Sequence, residues 1–222
     1  MKIIIVVLAF NEENRISGVL RGLKKTNYSV VVVDDGSTDT TSLKLRSANK
    51  TTNVTVLRHK VNLGKGAAMK TGAEAAFLMG ADAVIFMDGD GQHSASDLPR
   101  IKKALNEGFE IVFGSRNLSH GVPLVRYLGN KAASILVAKL FGLYVSDILC
   151  GFRAVTKEAY SKIKWGSRGY GVEIEMVVRS AKSKIKSCEV PVTTLYYDKF
   201  KGVSILDSFG VFLNIIRWRL RK

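Results

Sequence analysis

The sequence predicts an α/β protein whose mostly parallel sheet is covered by helices on both faces. Strand-like and helix-like segments alternate along residues 1–115, which is the pattern of strands joined by crossover helices. Runs such as Ile3–Phe10 are apolar and rich in β-branched residues, as expected for strands buried on both faces. Segments rich in Asp, Asn and Gly follow these runs, where open α/β sheets bind their ligands.

The first two-thirds of the chain predicts five strands with helices between them. The strands are expected at Ile3–Phe10, Ser29–Val33, Val54–Leu57, Ala83–Met87 and Ile111–Phe113. Helical spacing of apolar residues predicts helices at Glu12–Lys25, Gly66–Met79 and Ser96–Asn106, and a further helix after Ser37 or Thr38, either of which is a suitable N-cap. Beyond residue 115 we expect helices at Asn130–Phe141 and Gly171–Ser183, and strands at Cys150–Val155 and Ile185–Val192.

The last segment, Ser204–Lys222, differs in kind from the rest of the chain. Its apolar residues precede a basic tail that contains Trp218. Such a helix suits the headgroup region of a membrane, but it also suits packing on the domain or on a second subunit. We therefore predict a domain at 1–203 and an amphipathic basic C-terminal helix at 204–222, with both interpretations of the helix open.

The charge of the chain predicts attraction to anions. It has 34 Lys and Arg against 19 Asp and Glu, a formal net charge of +15, which suits nucleic acids, anionic lipids or phosphorylated substrates. No nucleic-acid-binding motif accompanies the charge, so we expect no nucleic-acid partner. Cys150 and Cys188 lie far apart without ligand spacing, which indicates a reducing compartment. No apolar stretch reaches the roughly 20 residues that span a bilayer, so a soluble or peripheral protein is expected.

The most informative stretch is the Asp-Gly-Asp-Gly-Gln sequence at 88–92, directly after a predicted strand. Two carboxylates one residue apart offer hard oxygen ligands, which suit Mg²⁺ or Mn²⁺ carrying a diphosphate. A surface turn is the alternative, because turns are rich in Asp and Gly. A calcium-binding EF-hand does not fit, because His93 and Pro99 stand where that loop needs glycine and glutamate.

Polar segments at the other strand ends extend this pattern. They are Asn11–Glu13 after the first strand, Asp34–Asp39 after the second, Asn62–Gly66 after the third and Gly114–Arg116 after the fifth. Acids, a glycine-flanked lysine and an arginine thus converge along one edge of the sheet. This arrangement can bind a nucleotide diphosphate together with a metal ion.

The order and spacing of these segments, together with Asp147–Arg153 and Glu189–Val192, resemble the inverting family-two glycosyltransferases with a GT-A fold. Within them, the chain is similar to the polyprenyl-phosphate (dolichyl-phosphate) sugar synthases over nearly its whole length. The resemblance implies metal-dependent transfer of a sugar, with inversion, from a nucleotide-sugar to a polyprenyl phosphate. The donor would be UDP-glucose, a UDP-N-acetylhexosamine or GDP-mannose, and the form of the Gly64–Gly66 turn favours a UDP-sugar.

The resemblance also implies roles for individual residues. Asp88, Asp90 and Gln92 would hold the Mg²⁺ or Mn²⁺ ion. The nucleotide-sugar would be bound by Ala9, Asn11, Glu12, Asp34, Asp35, Lys65 and Asp88. The acceptor phosphate would face Arg116, Arg126, Asn130, Lys199 and Lys201. Asp90, Arg116 and Arg126 would act directly in catalysis.

The expected acceptor needs no general base. The second pKa of a phosphate monoester is about 6, so the group is largely dianionic at neutral pH and is itself a nucleophile. The nearest alternative is a family-two enzyme that glycosylates a hydroxyl of a glycan or lipid. That reaction needs a carboxylate base, for which Glu173 and Asp147 are the candidates. We expect a cytoplasmic protein bound peripherally to an anionic membrane surface, and a homodimer or a membrane-protein partner stays open.

Overall fold

A computed structural model describes residues 1–48, 53–117, 124–169, 171–194 and 214–219, and its core is a seven-stranded sheet. The strands are β1 Ile3–Ala9, β2 Ser29–Asp34, β3 Val54–Arg58, β4 Ala83–Asp88, β5 Ile111–Arg116, β6 Arg153–Thr156 and β7 Ser187–Val192. Their order in the sheet is β3-β2-β1-β4-β6-β5-β7. All neighbours pair in parallel except β6, which is antiparallel to both β4 and β5.

Helices cover both faces of this sheet. They are α1 Ile16–Lys24, α2 Thr41–Ala48, α3 Lys65–Leu78, α4 Leu98–Asn106, α5 Leu124–Phe141, α6 Lys157–Ile163 and α7 Val172–Lys182. Because side chains alternate across a strand, Ile4 and Val6 of β1 join a core with α3, α5, α6 and α7. Ile5 and Val7 join a second core with α1, α2 and α4. The predicted fold class is confirmed.

Several predicted boundaries were wrong. Helix α2 begins at Thr41, after both proposed caps, and the Asp39 Oδ1 accepts a hydrogen bond from the Thr41 backbone N–H at 2.9 Å. Helix α1 begins at Ile16, because residues 12–15 form a turn. Strand β6 begins only at Arg153, and α5 begins six residues before the predicted start. Helix α6 was not predicted.

The described part of the C-terminal segment packs on the domain. Residues 214–219 are helical, Ile215 is fully buried, and Trp218 packs against the core beside α7. The Lys182 Nζ donates a hydrogen bond to the Trp218 carbonyl oxygen at 2.6 Å. These residues follow the domain-packing interpretation, whereas 204–213 and 220–222 lie outside the described residues, so the division at 203 stays a prediction. In the described part of the chain, no helix is long and apolar enough to cross a membrane.

Candidate active site

The loops that follow β1 and β2 are joined by hydrogen bonds between their polar residues. The Asn11 Oδ1 accepts from the Thr38 backbone N–H at 2.9 Å, and the Asn11 N–H donates to Ser37 Oγ at 3.0 Å. The Glu12 backbone N–H donates to Thr41 Oγ1 at 2.8 Å. Asn11 has a φ of 53°, a left-handed conformation that asparagine adopts more readily than most residues. The two loops therefore form one connected rim at the carboxyl edge of the sheet.

The two aspartates at the end of β2 are buried and organise this rim. Asp34 Oδ1 accepts from the Ser37 backbone N–H at 2.9 Å. Asp35 Oδ1 lies 2.6 Å from His59 Nδ1, and Asp35 Oδ2 accepts from the Gly64 backbone N–H at 2.8 Å. Gly64 has a φ of 93°, so this contact fixes a glycine-dependent turn directly before α3. The predicted contact of both aspartates with the nucleotide stays a prediction.

The ammonium group of Lys65, at the start of α3, lies between two carboxylates. Its Nζ is 2.8 Å from Asp88 Oδ1 and 2.8 Å from Glu173 Oε1, and Asp88 Oδ2 is 3.4 Å from His93 Nε2. Burial acts to lower the pKa of Lys65, but the two carboxylates outweigh it and raise that pKa above its ordinary value. Burial acts to raise the pKa of Asp88, but Lys65 and His93 outweigh it and lower that pKa. Lys65 and Asp88 are therefore both charged at neutral pH.

For Asp90 the balance is the opposite, because the charges of Lys65 and His93 do not outweigh the two effects that raise its pKa. Its Oδ1 accepts from the Gln92 backbone N–H at 3.0 Å. Burial, together with the negative charge of Asp88, raises the pKa of Asp90. A divalent cation between the two carboxylates would offset both effects, so the donor set fits the predicted metal.

The metal site is not fully formed by the protein. Among the described residues, no three His, Cys, Asp or Glu side chains are grouped closely enough to hold a metal ion. Asp88, Asp90 and the Gln92 amide would therefore supply part of the coordination, and water and diphosphate oxygens would supply the rest. Mg²⁺ in particular usually keeps several such ligands in phosphate-transferring sites.

The loop 147–152 closes the acidic cluster from the second half of the chain. Gly151 of this loop lies directly against it. A Cβ at this position would come within 2.4 Å of Asp88 Oδ2 and 2.6 Å of Lys65 Nζ. The sequence needs glycine here because the charged pair occupies the space that a side chain would fill.

We expect Gly151→Ala to damage the site but not the fold. The atoms that would clash are the ends of the Lys65 and Asp88 side chains, which can turn away, so we expect a cost in folding free energy of about 1 kcal/mol or less. Mn²⁺ binding measured by calorimetry should weaken, while the urea midpoint changes little. Gly169→Ala is the matched control, because a Cβ at Gly169 meets nothing within 4 Å. Unchanged Mn²⁺ binding by Gly151→Ala would contradict the assignment of Asp88 to the metal.

The loop 147–152 is held by Arg153, the first residue of β6. Arg153 is fully buried, and its guanidinium donates hydrogen bonds to the carbonyl oxygens of Cys150 at 2.6 Å, of Ile148 at 2.5 Å and of Glu173. The guanidinium also lies 5.1 Å from the ring centroid of Phe113. Burial lowers the pKa of Arg153, although a guanidinium still keeps its proton. One side chain thus joins the loop, β6 and the start of α7.

A second polar cluster surrounds Asp147 at the other end of the same loop. Its carboxylate accepts from Arg116 Nε at 2.6 Å, from Arg116 Nη2 at 2.9 Å and from Asn130 Nδ2 at 3.0 Å. Such a two-pronged contact fixes the plane of the guanidinium. The Arg116 side chain stays 20% exposed while Asp147 is buried. Asp147 therefore positions the Arg116 guanidinium at the end of β5.

The structure brings together most, but not all, of the residues predicted for the site. Ala9 ends β1, and its carbonyl oxygen accepts from the Asp35 backbone N–H at 2.8 Å. Arg126 lies on α5, but its side chain is outside the described part of the structure. Lys199 and Lys201 lie outside the described residues altogether. Their predicted roles, like those of the other site residues, stay predictions.

Helix α7 carries two buried glutamates whose contacts could not be predicted from the sequence. Glu173 and Glu175, two residues apart at the start of α7, are both buried. Glu175 accepts from the backbone N–H groups of Gly166 at 2.9 Å and Ser167 at 2.7 Å, which supports the loop beside α3. Two glutamates so close together in a strongly apolar helix indicate that at least one is buried. This pattern does not indicate that Lys65 is the partner of Glu173.

Comparison with known proteins identifies the family. A family model described as Glycosyl transferase family 2 matches residues 4–164. A UDP-N-acetylglucosamine–dolichyl-phosphate N-acetylglucosaminyltransferase from Methanococcus voltae is 30% identical over 243 residues, which cover 99% of this chain and 97% of the relative. An undecaprenyl-phosphate mannosyltransferase from Micrococcus luteus is 29% identical over 234 residues, which cover 99% of this chain and 95% of the relative.

The fold has a similar solved structure as well. Glucosyl-3-phosphoglycerate synthase from Mycobacterium tuberculosis superposes with a TM-score of 0.76 at 20% identity, covering 99% of this chain and 78% of that protein. The likeness concerns the arrangement of sheet and helices. With a GT-A sheet and a family match over more than half its length, the chain belongs to glycosyl transferase family 2 and is a glycosyltransferase.

Proposed function

We propose that this enzyme transfers a sugar, with inversion, from a nucleotide-sugar to a polyprenyl phosphate at a membrane surface. The observation that carries the proposal is the loop 147–152, which contacts two charged clusters. Its Asp147 holds the partly exposed Arg116, and its Gly151 packs against Lys65 and Asp88. Two charged clusters on one loop suit a reaction between two phosphate-bearing substrates. The donor diphosphate would bind, through a metal ion, at the cluster of Asp88 and Lys65, and the acceptor phosphate would bind at Arg116.

The donor side of the proposal involves a divalent metal. Mg²⁺ or Mn²⁺ supplies charge stabilisation of the departing diphosphate when it is bound. Asp88, Asp90 and Gln92 are the proposed ligands, and the raised pKa of Asp90, which a bound cation would lower, supports them. Lys65 adds a fixed positive charge beside the same position. The structure of glucosyl-3-phosphoglycerate synthase is a complex with Mn²⁺ and UDP, which agrees with a divalent metal.

The proposal of a phosphate acceptor is supported by the ion pairs of Glu173 and Asp147, the two carboxylates that could act as a base. Glu173 is ion-paired with Lys65, and Asp147 is engaged by both prongs of Arg116. A hydroxyl acceptor needs a carboxylate that can take up its proton, whereas a phosphate dianion does not. The arrangement therefore favours phosphate over the hydroxyl acceptor of the alternative. The names of the relatives from M. voltae and M. luteus, which specify dolichyl and undecaprenyl phosphate, support the same choice.

The acceptor phosphate would be held from one end of α5. Asn130 faces Asp147, and Arg126 lies four residues earlier, which puts both positions on one face of the helix. We propose these two residues with Arg116, and Lys199 and Lys201, as its contacts. The net charge of +15 supports peripheral association with an anionic membrane on the cytoplasmic side. The relative from M. voltae supports a UDP-sugar as donor.

A transfer assay with matched acceptors tests this function. The purified protein is incubated with Mn²⁺ and labelled UDP-N-acetylglucosamine, UDP-glucose or GDP-mannose, in vesicles that contain either a polyprenyl phosphate or the same polyprenol without phosphate. We expect transfer to the phosphate alone, loss of transfer with a chelator, and a rate that stays level as pH rises above the acceptor pKa of about 6. Efficient transfer to free polyprenol or to a soluble sugar hydroxyl would instead support the hydroxyl-glycosylating alternative.

A further inference from the structure

Glu173 is buried beside the proposed donor site, but nothing in the proposed reaction so far uses it. Its Oε1 lies 2.8 Å from Lys65 Nζ. Its Oε2 is also buried and has no hydrogen-bond partner among the residues that the structure describes. A buried carboxylate oxygen without a partner is unfavourable for folding. A carboxylate at this position therefore calls for an explanation other than packing.

We propose that Glu173 is a positioning residue, which keeps the Lys65 ammonium in the site when a divalent cation binds Asp88. This inference rests on the proposed metal site. Lys65 shares its charge between Asp88 and Glu173. An incoming cation competes with the ammonium for Asp88 and also repels it. Glu173 is the second partner that holds Lys65 beside the metal, within reach of the diphosphate.

The contact between Glu173 and Lys65 is anchored on both sides. The carbonyl oxygen of Glu173 accepts a hydrogen bond from the buried Arg153 guanidinium. On the other side, the carbonyl oxygen of Gly66, next to Lys65, accepts from the Trp165 indole N–H at 2.8 Å. Both backbones are therefore fixed, and the two side chains meet at a set distance. Such support is what a charged group needs in order to be held in place for a ligand.

The charges around the proposed metal position balance one divalent cation. Counted as formal charges, Asp88, Asp90 and Glu173 contribute three negative charges and Lys65 one positive charge, so these four side chains carry two net negative formal charges, with the His93 ring beside Asp88 unchanged in every variant below. Glu173→Gln leaves one net negative charge and an ammonium whose remaining carboxylate is also the metal ligand. The double variant Lys65→Met/Glu173→Gln returns the group to two negative charges without the ion pair. Comparison of the two variants therefore shows whether a loss of Mn²⁺ binding comes from the uncompensated charge of Lys65 or from the loss of the Glu173 carboxylate itself.

A double-mutant comparison of Mn²⁺ binding tests the proposal. Binding of Mn²⁺ alone is measured from the electron paramagnetic resonance signal of the free ion, and binding of UDP with Mn²⁺ by calorimetry. Glu173→Gln should weaken binding of Mn²⁺ alone by about tenfold, and the double variant should recover to within about threefold of the wild type. The double variant should still bind UDP with Mn²⁺ about tenfold more weakly, because the ammonium is missing.

Glu175→Gln is the matched control, since it removes a buried negative charge from the same helix without touching Lys65. It should change binding of Mn²⁺ alone by less than about threefold. Equal binding of Mn²⁺ by Glu173→Gln and the wild type would overturn the proposal, as would a double variant no better than Glu173→Gln. If Glu173→Gln does not fold, binding of Mn²⁺ by Glu173→Asp is the deciding measurement, because aspartate keeps the negative charge.

Glu173→Asp should stay within about threefold of the wild type for Mn²⁺ alone, and a tenfold loss in this variant would also overturn the proposal. Neither titration contains an acceptor. Failure of the polyprenyl-phosphate assay would therefore leave this inference intact. A wild-type protein that binds no Mn²⁺, with or without UDP, would overturn both the metal site and the role of Glu173.

Discussion

The Asp90→Ala variant is expected to lose sugar transfer by about a hundredfold or more, because one of the two carboxylates proposed to hold the metal is removed. Asp90 is the strongest test of the site, since it has little function in the fold. Its carboxylate accepts one backbone hydrogen bond, from Gln92, and its burial beside Asp88 raises its pKa. A residue in this position is unfavourable for stability unless a cation binds there.

The stability of the variants gives an independent check of this assignment. A raised pKa means that Asp90 binds its proton more tightly in the folded protein, so its contribution favours folding at low pH and is lost as pH rises through its folded pKa. Without metal, Asp90→Asn should therefore gain stability relative to the wild type over this rise in pH. Added Mn²⁺ should stabilise the wild type and not the variant.

Transfer rates and urea midpoints of Asp90→Ala and Asp90→Asn provide the measurement. Asp82→Asn is the control, because Asp82 lies at the opposite end of β4 and accepts a hydrogen bond from the backbone N–H of Lys2. It should transfer sugar at the wild-type rate. Retention of more than about a tenth of wild-type activity by Asp90→Ala, equivalent to less than ~1.4 kcal/mol of barrier, would refute the metal assignment.

The second large effect concerns stability. Arg153→Met should lower the free energy of unfolding by about 3–5 kcal/mol, because three buried carbonyl oxygens lose their donor and the methionine offers none. Arg153→Lys should recover only part of this free energy of unfolding, since an ammonium group cannot donate to three carbonyl oxygens with the planar geometry of a guanidinium. Nucleotide binding should fall with stability in both variants, because the same side chain holds Gly151 and Glu173 in place.

Equilibrium urea unfolding, monitored by circular dichroism, measures this loss. Arg100→Met is the control, because Arg100 is largely exposed and its salt bridge to Asp97 should contribute about 1 kcal/mol or less. An unfolding free energy of Arg153→Met within about 1 kcal/mol of the wild type would show that the loop is held by other contacts.

The parallel part of the fold could be predicted because each of its strands is identified by its own run of apolar residues. Runs such as Ile3–Ala9 are apolar at every position, and this pattern is specific to strands with both faces buried. The antiparallel insertion of β6 could not be predicted, because four residues carry no signal of their pairing partners. Helix α6 was missed for a similar reason, since its seven residues are too few for a clear periodicity.

The site shows the same division between local and distant information. The acids at 88 and 90 stand out in the sequence because their neighbours identify the strand end. Lys65 was predicted to approach the donor, but its contact with Glu173 joins residues more than a hundred positions apart. Asp147 appeared as a candidate base, whereas its carboxylate accepts three hydrogen bonds from Arg116, and its role in the reaction stays a prediction. Residue type indicates that charges are present, and only the fold determines which of them neutralise each other.

The place of β6 in the sheet also governs the order in which the enzyme can be assembled. Strands β1 to β4 are contiguous in the sheet and come from the first 88 residues, whereas β5 joins them only through β6. Pairing between β4 and β6 spans a long stretch of chain, and such contacts form slowly. During synthesis the acid pair therefore emerges well before Gly151 and Glu173. Gly151 can lie against Lys65 and Asp88 only once β6, which directly follows the loop 147–152, has paired with β4, so we expect binding at the acid pair to require this long-range pairing.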